Sequence, residues 1–385
     1  MKIYPEIRNY FIFLITLFAF ISTANAANTI LIPAAPSIAA KSYVLLDFNS
    51  GKVLAEKNAD QRLAPASLTK IMTVYVIFRE LKNGHLTLDE KVTISKKAWR
   101  TPGSRMFVEV NKQVAIEDLL QGVIIQSGND ASVALAEHVA GDEATFSAMM
   151  NQHAERLGML DSHFQNSMGL PSKNHYTTAS DLAKLTTAVI KEFPEYYRWD
   201  SQKEFTFNNI TQPNRNKLLW RDKSVDGVKT GYTEEAGYCM VASAKREEMR
   251  LISVVMGTAS ANARANESQT LLNYGFRFFE THKLYQAQTS LTDARIWKGD
   301  IKKLPMGLIE DLYVTIPRRH YNDLKAEINI DKKITAPVSE GASFGSVNVA
   351  LAGDVIANKP LVALKTVNKG SLVQRLYDEA MLLLE

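Results

Sequence analysis

One cysteine, Cys239, is all that the 385 residues contain, so the chain closes no internal disulfide and builds no Cys-based zinc cluster. No uninterrupted run of about 20 apolar residues occurs, which excludes an ordinary membrane-spanning helix. Charge of one sign is equally scarce: 45 Lys+Arg stand against 41 Asp+Glu, a net +4. So small and evenly spread an excess leaves no nucleic-acid footprint. The seven histidines lack metal-ligand spacing and read as surface or packed residues. Also missing are His-Glu-x-x-His, the phosphate-binding Gly-x-x-x-x-Gly-Lys-Ser/Thr and the dinucleotide-binding Gly-x-Gly-x-x-Gly. No internal repeat or low-complexity tract is present.

What is there begins with an address. Lys2 and Arg8 precede an apolar run over 10–21, and Ala24-Asn25-Ala26 has the small-x-small form of a signal-peptidase site. As a helix the run would reach about 18 Å, short of a ~30 Å membrane core. Residues 1–26 are therefore expected to be a cleaved export signal. A lone cysteine suits an oxidising compartment, since one thiol cannot form a wrong internal pair. Cys239 sits in an apolar stretch and reads as a small buried hydrophobe.

In the mature chain, 42–48 reads as a strand returning through 52–55 after a turn at Asn49-Ser50-Gly51. A helix is expected from Ser67 to about Leu81, stopped by Asn83-Gly84. The stretch 116–140 should be mainly helical, broken at Ser127-Gly128-Asn129 and closed by Gly141-Asp142. Ser180-Asp181 opens a further helix that Pro194 limits. Residues 225–243 and 249–257 read as sheet strands, giving a mixed α/β unit. Beyond about Glu280 the texture changes to short β-like runs at 312–316, 324–330, 346–351 and 361–367. These predict a small all-β module, a sandwich.

The chemistry starts at Pro65-Ala66-Ser67-Leu68-Thr69-Lys70. A serine and a lysine three apart at a helix start share one face, within hydrogen-bond reach. A serine hydroxyl needs a base, and lysine serves only where its surroundings lower its pKa. The helix N-terminus adds oriented N–H groups beside the serine. Alone, Ser-x-x-Lys recurs by chance. Here Ser127-Gly128-Asn129 follows 60 residues after Ser67, and Lys229-Thr230-Gly231 a further 102. In that order, behind an export signal, the three resemble the serine penicillin-binding and β-lactamase superfamily.

The segments 64–70, 122–130, 214–220, 225–231 and 273–280 carry the resemblance further. They look like the low-molecular-mass, type-5 D-alanyl-D-alanine carboxypeptidases along essentially the whole mature chain. The resemblance implies an α/β (α+β) fold: a serine β-lactamase/penicillin-binding-protein transpeptidase-like catalytic domain over 27–282, a small β-sandwich over 283–369 and an amphipathic helix over 370–385. It implies Ser67 as the acylated nucleophile and Lys70 as its base, with Ser127 and Asn129 passing the proton and holding substrate. Lys229, Thr230 and Gly231, with Arg215 as supporting charge, would grip the peptide's terminal carboxylate, and the backbone N–H groups of Ser67 and Tyr232 would form the oxyanion hole. Where well-known enterobacterial members carry His after Lys-Thr-Gly, this chain carries Tyr232. No metal or cofactor is required. The loop Thr101-Pro102-Gly103-Ser104-Arg105-Met106 resembles a flap beside the family's site.

The expected substrate is a peptidoglycan stem pentapeptide ending in D-Ala-D-Ala, and a β-lactam should trap Ser67. Rival readings are a murein DD-endopeptidase, a class A-like β-lactamase and a non-catalytic peptidoglycan scaffold. The appended β module and the lack of a recognisable Glu-x-x-Leu-Asn motif weigh against the lactamase; no missing catalytic group favours the scaffold. Over 371–385, Leu372, Val373, Leu376, Tyr377, Ala380, Met381, Leu383 and Leu384 take one half of a helical wheel. At about 22 Å such a helix cannot span a bilayer but can lie in its interface. The expected place is the bacterial periplasm, attached peripherally to inner-membrane lipid, with docking on the β module or on a partner as the alternative.

Overall fold

A computed structural model describes residues 30–383. The export signal expected over 1–26 lies outside the described residues. The expected first hairpin forms as β1 (Ser42–Asp47) and β2 (Val53–Lys57). With β3 (Val225–Thr233), β4 (Gly237–Arg246) and β5 (Met249–Thr258) it makes a five-stranded antiparallel sheet, ordered β2-β1-β5-β4-β3. Along β5, Ile252, Val254 and Met256 enter one core while Leu251 and Val255 enter another. Both faces are covered, so these strands read as nearly continuous apolar runs.

One face carries α1 (Thr69–Lys82), α2 (Asn129–Ala140), α3 (Glu143–Arg156) and α4 (Ala179–Glu192); the other carries α5 (Ala261–Phe278). α1 is apolar almost all round, and Ile71, Met72, Val76, Ile77 and Phe78 are buried, as a central helix requires. Gly84, at φ +77°, ends it in the left-handed region. The α-helix starts two residues later than expected: Ser67 lies on a single 3-10 turn, Ala66–Leu68, entered through Ala66 at φ +47°. Asp142 does not close a helix. Its side chain accepts from the Thr145 N–H at 2.8 Å and so caps α3, which the sequence reading left out. Ser260 likewise caps α5, also left out, accepting from the Ala263 N–H at 3.0 Å.

The strand Phe279–Tyr285 pairs with Leu312–Pro317 and straddles the expected boundary at 282/283. A six-stranded sheet faces this ribbon, and Leu312, Val314 and Ile316 share one core with Met306, Val347, Val349 and Leu361. The strands Thr292–Trp297 and Lys303–Gly307 escaped the sequence reading, the second because Pro305 and Gly307 interrupt its pattern. The run expected at 361–367 is the strand Asp354–Ala363. Gly341-Ala342-Ser343-Phe344-Gly345 has nucleophile-elbow spacing, but it feeds the strand Ser343–Leu351 rather than a strand-to-helix turn. α6 (Leu372–Leu382) follows, opened by a Ser371 cap. No described helix is long and apolar enough to cross a membrane.

Candidate active site

The 3-10 turn lifts Ser67 to the floor of a cleft and leaves Lys70 one turn inside α1. Lys70 is only 1% exposed. Its Nζ lies 2.9 Å from Ser67 Oγ, 2.7 Å from Asn129 Oδ1 and 2.8 Å from the Met168 carbonyl. Two of those three neighbours can only accept hydrogen bonds; the serine hydroxyl alone can donate. A neutral amine, with two N–H groups and one lone pair, satisfies that set completely, its lone pair toward Ser67. Burial, then the charges of Lys229 and Arg215, holds Lys70 well below the usual lysine range, against the pull of Asp130.

The Met168 carbonyl is held by a loop that has its own supports. Asn166 Oδ1 accepts from the backbone N–H groups of Met168, Gly169 and Leu170. A Cβ on Gly169 would fall 1.8 Å from the Ala66 carbonyl oxygen, so only glycine lets the loop reach the nucleophile turn. His175 Nδ1 receives N–H donors from Gln165 and Asn166, which puts its proton on Nε2, 2.9 Å from Thr69 Oγ1. Burial, with His163 nearby, pulls His175 down to about 4.

The expected break in 116–140 is a π-helical turn, Gly122–Gln126, ending on Ser127 in the left-handed conformation at φ 65°. Such a turn rotates the chain out of helical register and brings Ser127 to the cleft while Asn129 restarts the helix. Asn129 Nδ2 also donates to the Pro102 carbonyl at 2.6 Å, fastening the loop 101–106 over the site. Asp130, 1% exposed, accepts from the N–H groups of Met106, Phe107 and Val108 and secures the continuation of that loop.

β3 forms the opposite wall. A Cβ on Gly231 would lie 3.1 Å from the Pro65 carbonyl and 3.2 Å from the Ser67 nitrogen. Glycine here lets the strand press against the nucleophile turn, so the backbone of Tyr232 borders Ser67. Lys229 is 5% exposed and donates to its neighbour's carbonyl, Thr230 O, at 3.1 Å. Burial, then Arg215 and Arg264, lowers it to about 7, with Asp200 opposing. Arg215 Nε donates to the Gln126 carbonyl at 3.2 Å. Arg264, from the first turn of α5, donates to the Gly231 carbonyl at 2.8 Å and lies over the Tyr238 ring, itself stacked on Tyr232 with centroids 4.2 Å apart.

Ser67, Ser127, Asn129, Arg215, Thr230, Gly231 and Tyr232 therefore share one cavity of about 580 Å³. Lys70 and Lys229 lie one layer behind its lining. No carboxylate is among the described lining residues, and the basic groups around it make it a trap for an anion. Arg264, His175 and the Met168 carbonyl went unnoticed in the sequence, for none belongs to a motif. Asp130 lies inside the segment 122–130 but carries no motif that would reveal its role.

A sheet covered by helices on both faces, a serine paired to a buried lysine and a cationic cleft define a serine acyl-transfer enzyme of the penicillin-binding-protein type. The comparisons narrow this. Residues 29–260 match the family model for D-alanyl-D-alanine carboxypeptidase, and 279–369 match that for the penicillin-binding protein 5 C-terminal domain. The chain is 45% identical over 374 residues to D-alanyl-D-alanine carboxypeptidase DacC of Escherichia coli K12, covering 95% of this chain and 93% of that one. Penicillin-binding protein 5 from Haemophilus influenzae superposes with a TM-score of 0.84 at 42% identity, over 88% of this chain and all (100%) of that chain. Penicillin-binding protein D2 from Listeria monocytogenes, solved in its ampicillin-bound form, matches with a TM-score of 0.58 at 30% identity, over 63% of this chain and 100% of that one. The chain belongs to the D-alanyl-D-alanine carboxypeptidase family.

Proposed function

We propose that this D-alanyl-D-alanine carboxypeptidase removes the terminal D-alanine of a peptidoglycan stem pentapeptide through an acyl-enzyme on Ser67. The observation that carries the reading is the Lys70 environment, in which the serine hydroxyl is the single possible donor to Nζ. Ser67 Oγ bonds to the penultimate D-alanine carbonyl carbon while its proton passes to Lys70. The N–H groups of Ser67 and Tyr232 stabilise the oxyanion. As the C–N bond breaks, Ser127 relays a proton to the departing amine, and Asn129 keeps Lys70 and the loop 101–106 in place. Water then cleaves the ester. Lys229, Thr230 and Arg215 hold the substrate's carboxylate, with Arg264 as a further cation on the same wall. A β-lactam, whose ring amide stands in for the scissile bond, acylates Ser67 in the same way.

The test incubates the pure protein with a bis-D-alanine peptide and, separately, with a cross-linked peptide dimer. Free D-alanine with an intact dimer supports the carboxypeptidase. A severed dimer supports the endopeptidase, rapid penicillin turnover the lactamase, and no reaction the scaffold.

We further propose that residues 1–26 direct this activity to the periplasm and that α6 attaches it peripherally to the outer face of the inner membrane. Support comes from the orientation of α6. Asp378 accepts from the Lys298 backbone N–H at 2.5 Å, and Glu379 pairs with the Lys298 ammonium. The acidic side of the helix is thereby turned to the β module, away from anionic lipid. Leu372, Val373, Leu376 and Tyr377 are each more than 60% exposed, the stripe an interfacial helix would bury.

A further inference from the structure

Behind the main cavity lies a second of about 10 Å³, room for roughly one water molecule. Lys70, Lys229 and Asp200 line it, among valines such as Val123, Val189 and Val228. Asp200 is 5% exposed on the 3-10 turn Arg198–Ser201. A carboxyl this deeply buried is costly unless partnered, yet the reaction as drawn gives it no task. Among the described residues, no cation lies within ion-pair distance of it.

The groups that face it narrow its role. Asp226, from β3, is already engaged by Arg250 at 2.8 and 2.7 Å and by the Tyr197 hydroxyl at 2.8 Å. Lys70, from α1, has its three bonding positions filled by Ser67, Asn129 and Met168. Lys229 has a single protein bond, to Thr230 O, which leaves two positions open. One suits the substrate's carboxylate, and the other is available to Asp200 across the small cavity that both residues line. Burial and Asp226 push Asp200 well above the usual carboxylate range, while Lys229 draws it back.

We propose that Asp200 is a positioning residue which shares a proton with Lys229 across this cavity and thereby sets how far up the pH scale Lys229 stays cationic toward substrate. The inference rests on the reading of Lys229 as part of the carboxylate clamp. In the exchange an N–H bond of Lys229 breaks as an O–H bond of Asp200 forms, through one water, with no other reactant. Removing the carboxylate withdraws support from the charged lysine, so Lys229 loses its proton at lower pH.

The experiment compares pH profiles of kcat/KM for a D-Ala-D-Ala peptide in wild type, Asp200→Asn and Asp200→Ser. The alkaline limb is expected to move down by roughly half a pH unit or more, with the low-pH plateau within about threefold of wild type. Asp200→Glu restores part of the shift. A merely structural residue would lower the whole profile without moving its limb. A reciprocal measurement needs no folded Asp200 variant: the ¹³C carboxyl resonance of Asp200 should titrate at higher pH in Lys229→Ala than in wild type. An unmoved limb in the folded variants, or an Asp200 carboxyl that titrates identically with and without Lys229, overturns the proposal. Failure of the underlying clamp looks different, because Lys229→Ala would then discriminate acid from amidated peptides as wild type does.

Discussion

Lys70, Asn129, Asp130 and His175 are buried inside the catalytic half, whereas Leu372, Val373, Leu376 and Tyr377 stand in solvent on α6. Both sets reverse the usual partition of polar and apolar groups, in opposite senses. In the interior each polar atom is held by specific partners, and the cost of burial is converted into a lowered lysine pKa and a fixed loop. On α6 the apolar side chains lack a protein partner over most of their surface, the exposure that the proposed interfacial role would use. The two regions teach that a misplaced residue is informative only together with what surrounds it. Lys70 inside a satisfied network suits the proposed base; Leu376 outside, beside Asp378 and Glu379 turned inward, suits the proposed anchor.

The comparison can be broken at either end. The largest effect is expected for Ser67→Ala, which should abolish covalent labelling by a fluorescent penicillin while the thermal melt stays cooperative. Next comes the interior support. His175 is held neutral, at about 4 against 6.5 unfolded, so stability is fully present above about 6.5 and is lost as pH falls toward 4. The loss amounts to about 3 kcal/mol. Urea melts at pH 7 and 4.5 should show it for wild type, and His175→Gln should flatten the difference. A wild-type stability that is flat over this interval would contradict the buried neutral imidazole.

Lys229→Ala should lower kcat/KM for the acid peptide by at least about tenfold, or about 1.4 kcal/mol. A C-terminally amidated peptide should be poor for wild type and insensitive to the change. Equal wild-type rates on acid and amide would remove the clamp. The smallest catalytic effect belongs to the other region. Deleting 371–385 should leave kcat/KM unchanged and shift the protein from vesicle-bound to soluble in flotation, with little dependence on salt. Full-length protein that floats free of vesicles would leave α6 as a helix docked on the β module.

How much of this was legible beforehand follows from where the chemistry resides. Ser67, Lys70, Ser127, Asn129 and the Lys229–Gly231 strand could be read because motif spacing reports local geometry: one helical turn, one broken helix, one strand. The sheet strands β1 to β5 were readable as apolar runs bounded by turns. The Met168 carbonyl was not, since a backbone group leaves no trace in residue identity. Arg264 depends on where α5 docks, and Asp200 on which side of β3 its turn packs, both set by long-range packing. Strands such as Lys303–Gly307, carrying Pro305, contradict their own local signals and form because the six-stranded sheet requires them.

The central claim is that Ser67, activated by a neutral Lys70, is the group that becomes acylated. Peptide mapping by mass spectrometry after brief exposure to benzylpenicillin at neutral pH addresses it directly. The account predicts one adduct, on the peptide containing Ser67, absent from Ser67→Ala and formed far more slowly in Lys70→Gln. An adduct on any other residue, or acylation of Lys70→Gln at the wild-type rate, would contradict it.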